Sequence, residues 1–560
     1  MAQTPRTRDK RLVDESAPLS ELEVLIVDCQ STGASPKHGD LLEVAWCATR
    51  ADEQPNATTS RVVALPDEEQ IPPRIQRMTG ISDDELSQAT PLDVVWGELR
   101  EAAAELGAGP DAPSIIHYAR FERSFLTDAH ERICPDASFP LDIICTHAIA
   151  QRLFPELPRR GLRALAGFLG HTVPEAKRAG HHVDATAAIW RHTVRELDIE
   201  WGVQTLGQLR EWLDTREPTR RGGKRYALPR ETRLGMPDVP GVYRMLSKAG
   251  DVLYVGKATS LKSRVNSYFQ TRRGLSNTKL ELVTQVWDVD ITECDSPLEA
   301  ALLEADEIKH HSPTYNTALR RRGRSLCWGN REWTSFSTTR DAEHPVGPLT
   351  DPARMQLVAT LRRGEFEGIP DEMLAYIGET REMLAGGIEA LKDEYDIDLG
   401  DPTTPLRRLA LERWRERYEE KLAEAQRDEE LDAEEPDEAP AEREWTPELV
   451  AKQLERTIRW CYRSLRLTRW LRLLADSSVR WTRAARPRSI ILSGGQLVDE
   501  APGGDARLER LDFDLATWDR LRVLNTELRR LVTDECAPEV ELRGLRTLGT
   551  DQLARLFRWI

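Results

Sequence analysis

The chain has 560 residues, 40% of them hydrophobic, with 78 Lys and Arg against 94 Asp and Glu for a net charge of −16. That length predicts three or four domains with real cores, and the acidic balance excludes a chain that binds polyanions indiscriminately over its whole surface. No apolar run approaches the ~20 residues of a membrane span, and residues 1–20 read as a charged, flexible tail without a signal-peptide core, so a cytoplasmic protein with no membrane contact is expected. Eight cysteines without a Cys-x-x-Cys pair predict reduced packing residues and no zinc site.

In chain order, Val24-Leu25-Ile26-Val27-Asp28 is an apolar strand ending in a carboxylate. Gln30-Ser31-Thr32-Gly33 turns the chain, and Leu41 to Trp46 returns as a second strand. Met78-Thr79-Gly80-Ile81, Ile115 to Glu122 and Lys177 to Thr186 follow. Over residues 21–198 this order resembles the DEDDh 3′–5′ exonucleases, the group of the polymerase III proofreading subunit, and implies an RNase H-like α/β domain. The catalytic pattern departs from that family. Asp28 stands where the family has its first Asp, but Gln30 replaces the Glu two residues on, and Glu122 replaces the Asp after Phe121. Aligning the final Ala-Thr puts His182 in place of the last Asp and Lys177 in place of the histidine base; using Asp184 instead leaves Ala179 at the base position. Asp28, Gln30, Glu122 and His182 supply two negative charges where the family has four, too few to compensate two divalent ions. A degenerate site on a nucleic-acid-binding or docking platform is expected.

Residues 199–234 read as a basic linker. Gly241-Val242-Tyr243 then opens a strand, Lys248-Ala249-Gly250-Asp251 turns, and Val252 to Lys257 returns. Leu261-Lys262-Ser263-Arg264-Val265, with Tyr268 and Phe269, has helical periodicity. Ser296-Pro297-Leu298-Glu299 is a capping box with Pro at the first helical position, and Leu298, Ala301, Leu302, Ala305 and Ile308 mark a buried face with Glu304 at its flank. Gly250 to Lys257 mimics a phosphate-binding P-loop. It has one residue too many between the glycines and Ala258 where Ser or Thr is required, so no ATP is expected.

Gly-Val-Tyr at 241–243, Tyr-Val-Gly-Lys at 254–257, Arg264, Leu-Glu-Ala at 303–305 and Pro-Thr-Tyr-Asn at 313–316 together resemble the GIY-YIG nuclease domain, and more closely the N-terminal endonuclease domain of UvrC and its shorter relative Cho. The resemblance covers residues 235–318. It implies a small α/β domain with catalytic residues Tyr243, Tyr254, Lys257, Arg264, Glu304 and Asn316. A divalent metal, Mg²⁺ or Mn²⁺, would sit on Glu304, with water activated beside Tyr254 and Tyr243 and the phosphodiester neutralised by Arg264 and Lys257. It also implies DNA and a UvrB-like damage-loading protein as partners.

Charge supports the same region. From Glu217 to Leu280 there are fourteen Lys and Arg against four Asp and Glu, the footprint of polyanion binding. Lys262, Arg272, Arg273, Lys279, Arg320, Arg321 and Arg322 are the candidate DNA contacts. Beyond Asn316, Pro345 to Thr350 resembles the Phe-Gly-Pro-Tyr segment after the UvrC/Cho nuclease domain, and residues 319–427 read as helical. Residues 428–445 are an acidic linker. Residues 446–560 read as mostly helical, with interleaved Trp and Arg as packed aromatics under snorkelling cations and a hairpin at 490–498. The expected fold is multi-domain α/β: an RNase H-like domain, a GIY-YIG domain and a mostly helical C-terminal region. The expected function is a repair endonuclease acting on damaged or structured DNA. The alternatives are a 3′–5′ exonuclease guided by the GIY-YIG domain, or a non-catalytic DNA-binding scaffold.

Overall fold

A computed structural model describes residues 14–559 except 54–56, 67–70, 107–111, 216–223, 271–275, 317–324, 366–368, 370–379, 396–397, 401–444, 484–485, 499–513, 535 and 543–545. The chain divides into two compact units, one of residues up to Ala300 with His311–Thr317, the other of Ala301–His310 with the remainder from Ala318.

The first unit begins with a five-stranded sheet in the order β3-β2-β1-β4-β5, from Thr59–Val62, Leu41–Thr49, Val24–Ser31, Ala112–Ile116 and Leu141–Cys145. β2 runs antiparallel to β1, while β4 and β5 are parallel. Central β1 is apolar at every position from Val24 to Val27 because alternate side chains enter different cores. Val24 and Ile26 join the cluster under Trp190; Leu25, Val27 and Cys29 join the one around Trp96 and Phe125. Helices α1 to α8 surround it: Pro73–Thr79, Asp83–Ser87, Leu92–Glu105, Arg120–Ile133, Thr146–Leu153, Leu162–Leu169, Ala179–Glu196 and Leu206–Asp214.

Two expected boundaries move. Leu19 is 1% exposed, and Pro18 bridges Thr205, so the domain begins inside the expected tail. Val203, Leu206, Leu209 and Trp212 complete the core under β1, so the domain runs to about Asp214 and the expected 199–234 linker starts too early. Apolar residues at 206, 209 and 212 give α8 a buried face that a count of basic charges does not see.

A second domain follows in the same unit. After α9 (Arg230–Leu234), β6 (Gly241–Leu246) sits between β7 (Val252–Ala258) and β8 (Asp288–Glu293), with both pairings antiparallel. Helices α10 (Leu261–Tyr268) and α11 (Asn277–Gln285) belong to the same unit, and α12 (Pro297–His311) begins in it, while its residues Ala301–His310 belong to the other unit. The P-loop-like residues are a turn and strand β7, not a phosphate-cradling loop. The two domains pack directly: Trp287 Nε1 donates to the Phe168 carbonyl at 3.2 Å, Thr172 Oγ1 to Asp251 Oδ2 at 3.1 Å and Arg159 to Asn277 Oδ1 at 2.6 Å.

The second unit contains a three-stranded sheet, β10-β9-β11, from Phe336–Ser337, Cys327–Gly329 and Val346–Leu349. Its core joins Cys327, Leu349, Met355, Leu384, Ile388, Val450, Leu454 and Cys461. Helices α13 (Pro352–Arg363), α14 (Arg381–Tyr395) and the first half of α15 (Pro447–Leu474) therefore share one core. The expected division between 319–427 and 446–560 does not separate two cores, and 319–427 is not wholly helical; the 428–444 part of the acidic linker lies outside the described residues. The unit closes with a five-stranded sheet, β14-β13-β12-β15-β16, from Gln496–Val498, Arg486–Ser493, Ser477–Arg483, Glu539–Leu542 and Arg546–Leu548, with helices α16 (Leu515–Thr533) and α17 (Thr550–Trp559). The expected hairpin is β13–β14, turning on Gly494 (φ 57°) and Gly495 (φ 78°), the left-handed pair that a two-residue turn requires. Trp470 and Trp518, each 3% exposed, are packed rather than presented for stacking.

All eight cysteines are unbridged. Among the described residues no helix is long and apolar enough to cross a membrane.

Candidate active site

The β6–β7 hairpin and α10 bring three phenols together. Tyr243 is fully buried on β6 opposite Gly256 of β7. A Cβ at position 256 would stand 2.5 Å from Cζ of Tyr243 and 2.8 Å from Cε1 of Tyr254, so only glycine lets the strand pass beneath both rings. Tyr254 is half-buried two residues earlier. Helix α10, capped by Ser260 on the Ser263 N–H, adds Tyr268, whose hydroxyl lies 3.0 Å from that of Tyr243. The three ring centroids form a nearly equilateral triangle with sides of 6.1, 6.2 and 6.1 Å. Arg264, one helical turn before Tyr268, is exposed and lays its guanidinium 5.4 Å over the Tyr268 ring.

Burial, then the neighbouring Tyr268 and Tyr254 phenols, hold Tyr243 ionisation well above the ordinary tyrosine range. Tyr243 therefore keeps its proton and serves as a neutral hydrogen-bonding group. Burial works against the Arg264 charge, but Tyr243, Tyr268 and Tyr254 more than offset it and leave the guanidinium harder to deprotonate than usual. Tyr268 was not among the expected catalytic residues. The available signal was its i+4 spacing from Arg264, which puts both on one face of α10.

Asn316 is bound to the backbone of β7. Its Oδ1 accepts from the Val255 N–H at 2.9 Å and its Nδ2 donates to the Val255 carbonyl at 2.8 Å, with 6% exposure. The amide is committed to strand β7 between Tyr254 and Gly256. Both ends of the Asn316 amide thus face the backbone of β7. Lys257 is half-buried on β7; Lys262 and Lys279 are exposed on α10 and α11. Arg272, Arg273, Arg320, Arg321 and Arg322 lie outside the described residues.

Glu304 lies midway along α12, half-buried, between buried Leu302 and Ala305. The helix starts with Ser296 Oγ accepting from the Glu299 N–H at 3.2 Å, while Glu299 reaches the Asp295 N–H at 3.1 Å. The returning half of the cap thus falls one residue before its expected place. Among the described residues no group of three or more His, Cys, Asp and Glu forms a metal-binding cluster. A single carboxylate still suits a hard divalent cation that retains most of its water, as Mg²⁺ does.

The first domain brings Asp28, Gln30 and His182 together. His182 Nδ1 stands 3.2 Å from both Asp28 Oδ2 and Gln30 Nε2, and Gln30 Nε2 donates to the same Asp28 oxygen at 3.1 Å. Glu122, 7% exposed, has one carboxyl oxygen without a partner, and burial and then Asp28 push its pKa from 4.5 up to about 9. It is a neutral acid at pH 7. This donor set does not fit a pair of divalent metals: Gln30 and His182 bring no negative charge, and one oxygen of the Asp28 carboxylate is already engaged by both of them.

The other candidates lie elsewhere. Lys177 is exposed in the loop before α7, its N–H bonded to the Met78 carbonyl. Asp184 is exposed and accepts from Thr58 Oγ1 at 2.7 Å. Glu43 is 1% exposed and committed to Arg178 at 2.9 Å, Ser60 at 2.8 Å and the Ala179 N–H at 2.7 Å, at the N-terminus of α7 where a carboxylate is stabilising.

Comparison with known proteins assigns both domains. The UvrC-like GIY-YIG domain family matches residues 239–317, and an exonuclease family matches residues 25–182. A Mycobacterium tuberculosis protein named as a bifunctional exonuclease/endonuclease is 33% identical over 250 residues, 44% of this chain and 36% of that protein. UvrABC system protein C of a Psychrobacter species is 52% identical over 85 residues, 15% of this chain and 14% of its own length. The GIY-YIG endonuclease domain of UvrC from Thermotoga maritima, solved with magnesium, is 31% identical over 16% of this chain and 94% of that domain, with a TM-score of 0.15. The chain thus carries an exonuclease-family domain and a UvrC-like GIY-YIG domain, and spans about a third or less of the length of these full-length relatives.

Proposed function

We propose that this chain, an exonuclease-family domain joined to a UvrC-like GIY-YIG domain, is an endonuclease that incises damaged or structured DNA in excision repair. The observation that carries the reading is the cluster of Tyr243, Tyr254, Tyr268 and Arg264 on the β6–β7 hairpin and α10.

A phosphodiester is anionic, and its five-coordinate transition state carries more charge on the phosphoryl oxygens. Arg264 supplies a permanent cation, held by its stacking on Tyr268, and Lys257 a second. Tyr254 hydrogen-bonds the attacking water. Tyr243, unable to ionise, fixes the hydroxyl of Tyr268. Asn316 holds β7 so that Tyr254 and Lys257 keep their places. Glu304 would carry a divalent cation, Mg²⁺ or Mn²⁺, which supplies Lewis-acid stabilisation and a more acidic water. Lys262 and Lys279 extend the cationic surface along the DNA backbone.

The exonuclease-family domain serves as a binding platform of reduced or no hydrolytic activity, since Gln30 and His182 occupy the ligand positions and bring no negative charge. DNA is the proposed substrate, and a UvrB-like damage-loading protein the proposed partner. The test is incubation of the full chain with end-labelled duplex carrying a bulky adduct, a flap or a nick, in Mg²⁺ or Mn²⁺. Metal-dependent internal cleavage is expected; mononucleotide release without internal cleavage would contradict the reading.

A further inference from the structure

The half of α12 that carries Glu304 is gripped by C-terminal residues belonging to the same compact unit. Lys309 Nζ donates to the Ala516 carbonyl at 2.8 Å and pairs with Asp519 Oδ2 at 3.6 Å, the two side chains only 6% and 1% exposed. Arg520 binds Asp306 Oδ1 through Nη2 at 2.6 Å and Nε at 3.0 Å, and its Nη1 reaches the Gly495 carbonyl at 3.4 Å. At 3.6 residues per turn, Asp306 and Lys309 lie roughly 200° and 140° around the helix from Glu304. The grip therefore acts on the helix from the side away from Glu304.

Helix α16, which supplies Ala516, Asp519 and Arg520, is itself anchored. Asp514 caps it on the Thr517 N–H at 2.7 Å. Trp470 Nε1 donates to Asn525 Oδ1 at 2.9 Å, and Trp518 Nε1 to Thr468 Oγ1 at 3.4 Å. Thr468 in turn donates to the Pro348 carbonyl at 2.8 Å. Buried charges are costly to desolvate and add little net stability when paired, so the buried Lys309–Asp519 pair suggests a demand for exact placement rather than for stability, and the half-exposed Asp306–Arg520 pair adds a second, two-nitrogen hold on the same helix. Surface ion pairs in an ordinary helix contact would be exposed and loosely placed.

We propose that α16 is a positioning clamp for incision, setting the axial position and rotation of α12, and so of Glu304, through Asp306–Arg520 and Lys309–Asp519. The proposal rests on Glu304 as the metal ligand. Asp306, Lys309, Asp519 and Arg520 act through Glu304 and touch neither DNA nor metal.

The test uses the full chain and the labelled duplex that the wild type incises. Asp306→Arg and Arg520→Asp should each lower kcat by on the order of 10- to 10²-fold, because misplacement by about 1 Å is costly. The Mg²⁺ concentration for half-maximal rate should rise, and KM for DNA should stay unchanged. The swapped pair, Asp306→Arg with Arg520→Asp, should recover most of kcat and of the Mg²⁺ response, which a loss of folding would not do. Asp306→Asn, which keeps the side-chain shape at a half-exposed site, should show the same effects in weaker form. Wild-type kcat and Mg²⁺ response in Asp306→Asn and Arg520→Asp would overturn the clamp, as would single losses that the swap does not restore. Glu304→Gln, run in parallel, separates the two claims: an inactive Glu304→Gln beside an unaffected Arg520→Asp sinks the clamp alone, and an active Glu304→Gln sinks both.

Discussion

Replacing Glu122 by Gln probes the altered site through its protonation state. Burial and the nearby Asp28 lift the Glu122 pKa from 4.5 to about 9 in the folded chain. Between those values the unfolded carboxyl has lost its proton while the folded one keeps it. More protons are bound by the native state, so stability falls as pH rises from about 4.5 to about 9. At pH 7 the gap above 4.5 is about 2.5 units, worth at most about 3 kcal/mol at 1.36 kcal/mol per unit. Gln cannot ionise and removes this slope. It adds an amide N–H beside an already unpartnered oxygen, a cost that does not vary with pH. Residues 1–215, which contain the whole core from Leu19 to Trp212, should be unfolded in urea at pH 5, 7 and 8 and followed by tryptophan fluorescence. The wild-type fragment should lose stability across this series relative to Glu122→Gln, by up to about 3 kcal/mol at pH 7. A difference between the two that stays constant with pH would show that Glu122 is ionised in the fold and would refute the reasoning from its burial.

Arg264→Ala should lower incision by on the order of 10²-fold, the usual cost of losing one preorganised donor to the transition state, with Lys restoring only part; full activity in the Ala variant, measured by single-turnover nicking, would remove Arg264 from the chemistry. Asn316→Ala breaks both bonds to Val255 and should cost about 1–3 kcal/mol of stability, with incision falling as β7 loosens. A large loss of incision at unchanged stability would return Asn316 to the substrate-contacting group. The 1–215 fragment should release little or no 3′ nucleotide from single-stranded DNA in Mg²⁺, and Gln30→Glu with His182→Asp should strengthen metal binding by calorimetry. Efficient release by the unmodified fragment would mean that another ligand set operates.

The elements that carry the GIY-YIG motif were legible because their signals are local: alternation on β6 and β7, the turn between them, and the Ser and Pro opening α12. The site of the first domain was legible for the complementary reason. Departures at Gln30, Glu122 and His182 stand against a fixed spacing, and the 3.2 Å approach of His182 to Asp28 puts His182, not Asp184, in the site. What escaped was set by tertiary contact. Tyr268 reads as one more apolar residue of an amphipathic helix until its hydroxyl meets Tyr243. Asn316 sits in a motif whose spacing carries no hint that its amide is committed to Val255. The C-terminal sheet was hidden because β12 and β13 interleave Arg, Ser and Thr with few apolar residues, so only the Gly494-Gly495 turn stood out. A common core for α13, α14 and α15 was obscured by the acidic run between 428 and 438, which breaks the pattern in sequence.

Glu304→Gln bears most directly on the central claim, since it keeps the side-chain shape and removes the charge proposed to hold the metal. With the labelled duplex incised by the wild type, in Mg²⁺ and again in Mn²⁺, incision by this variant should be abolished while DNA binding persists through the cationic surface. Undiminished nicking at either metal would contradict the account.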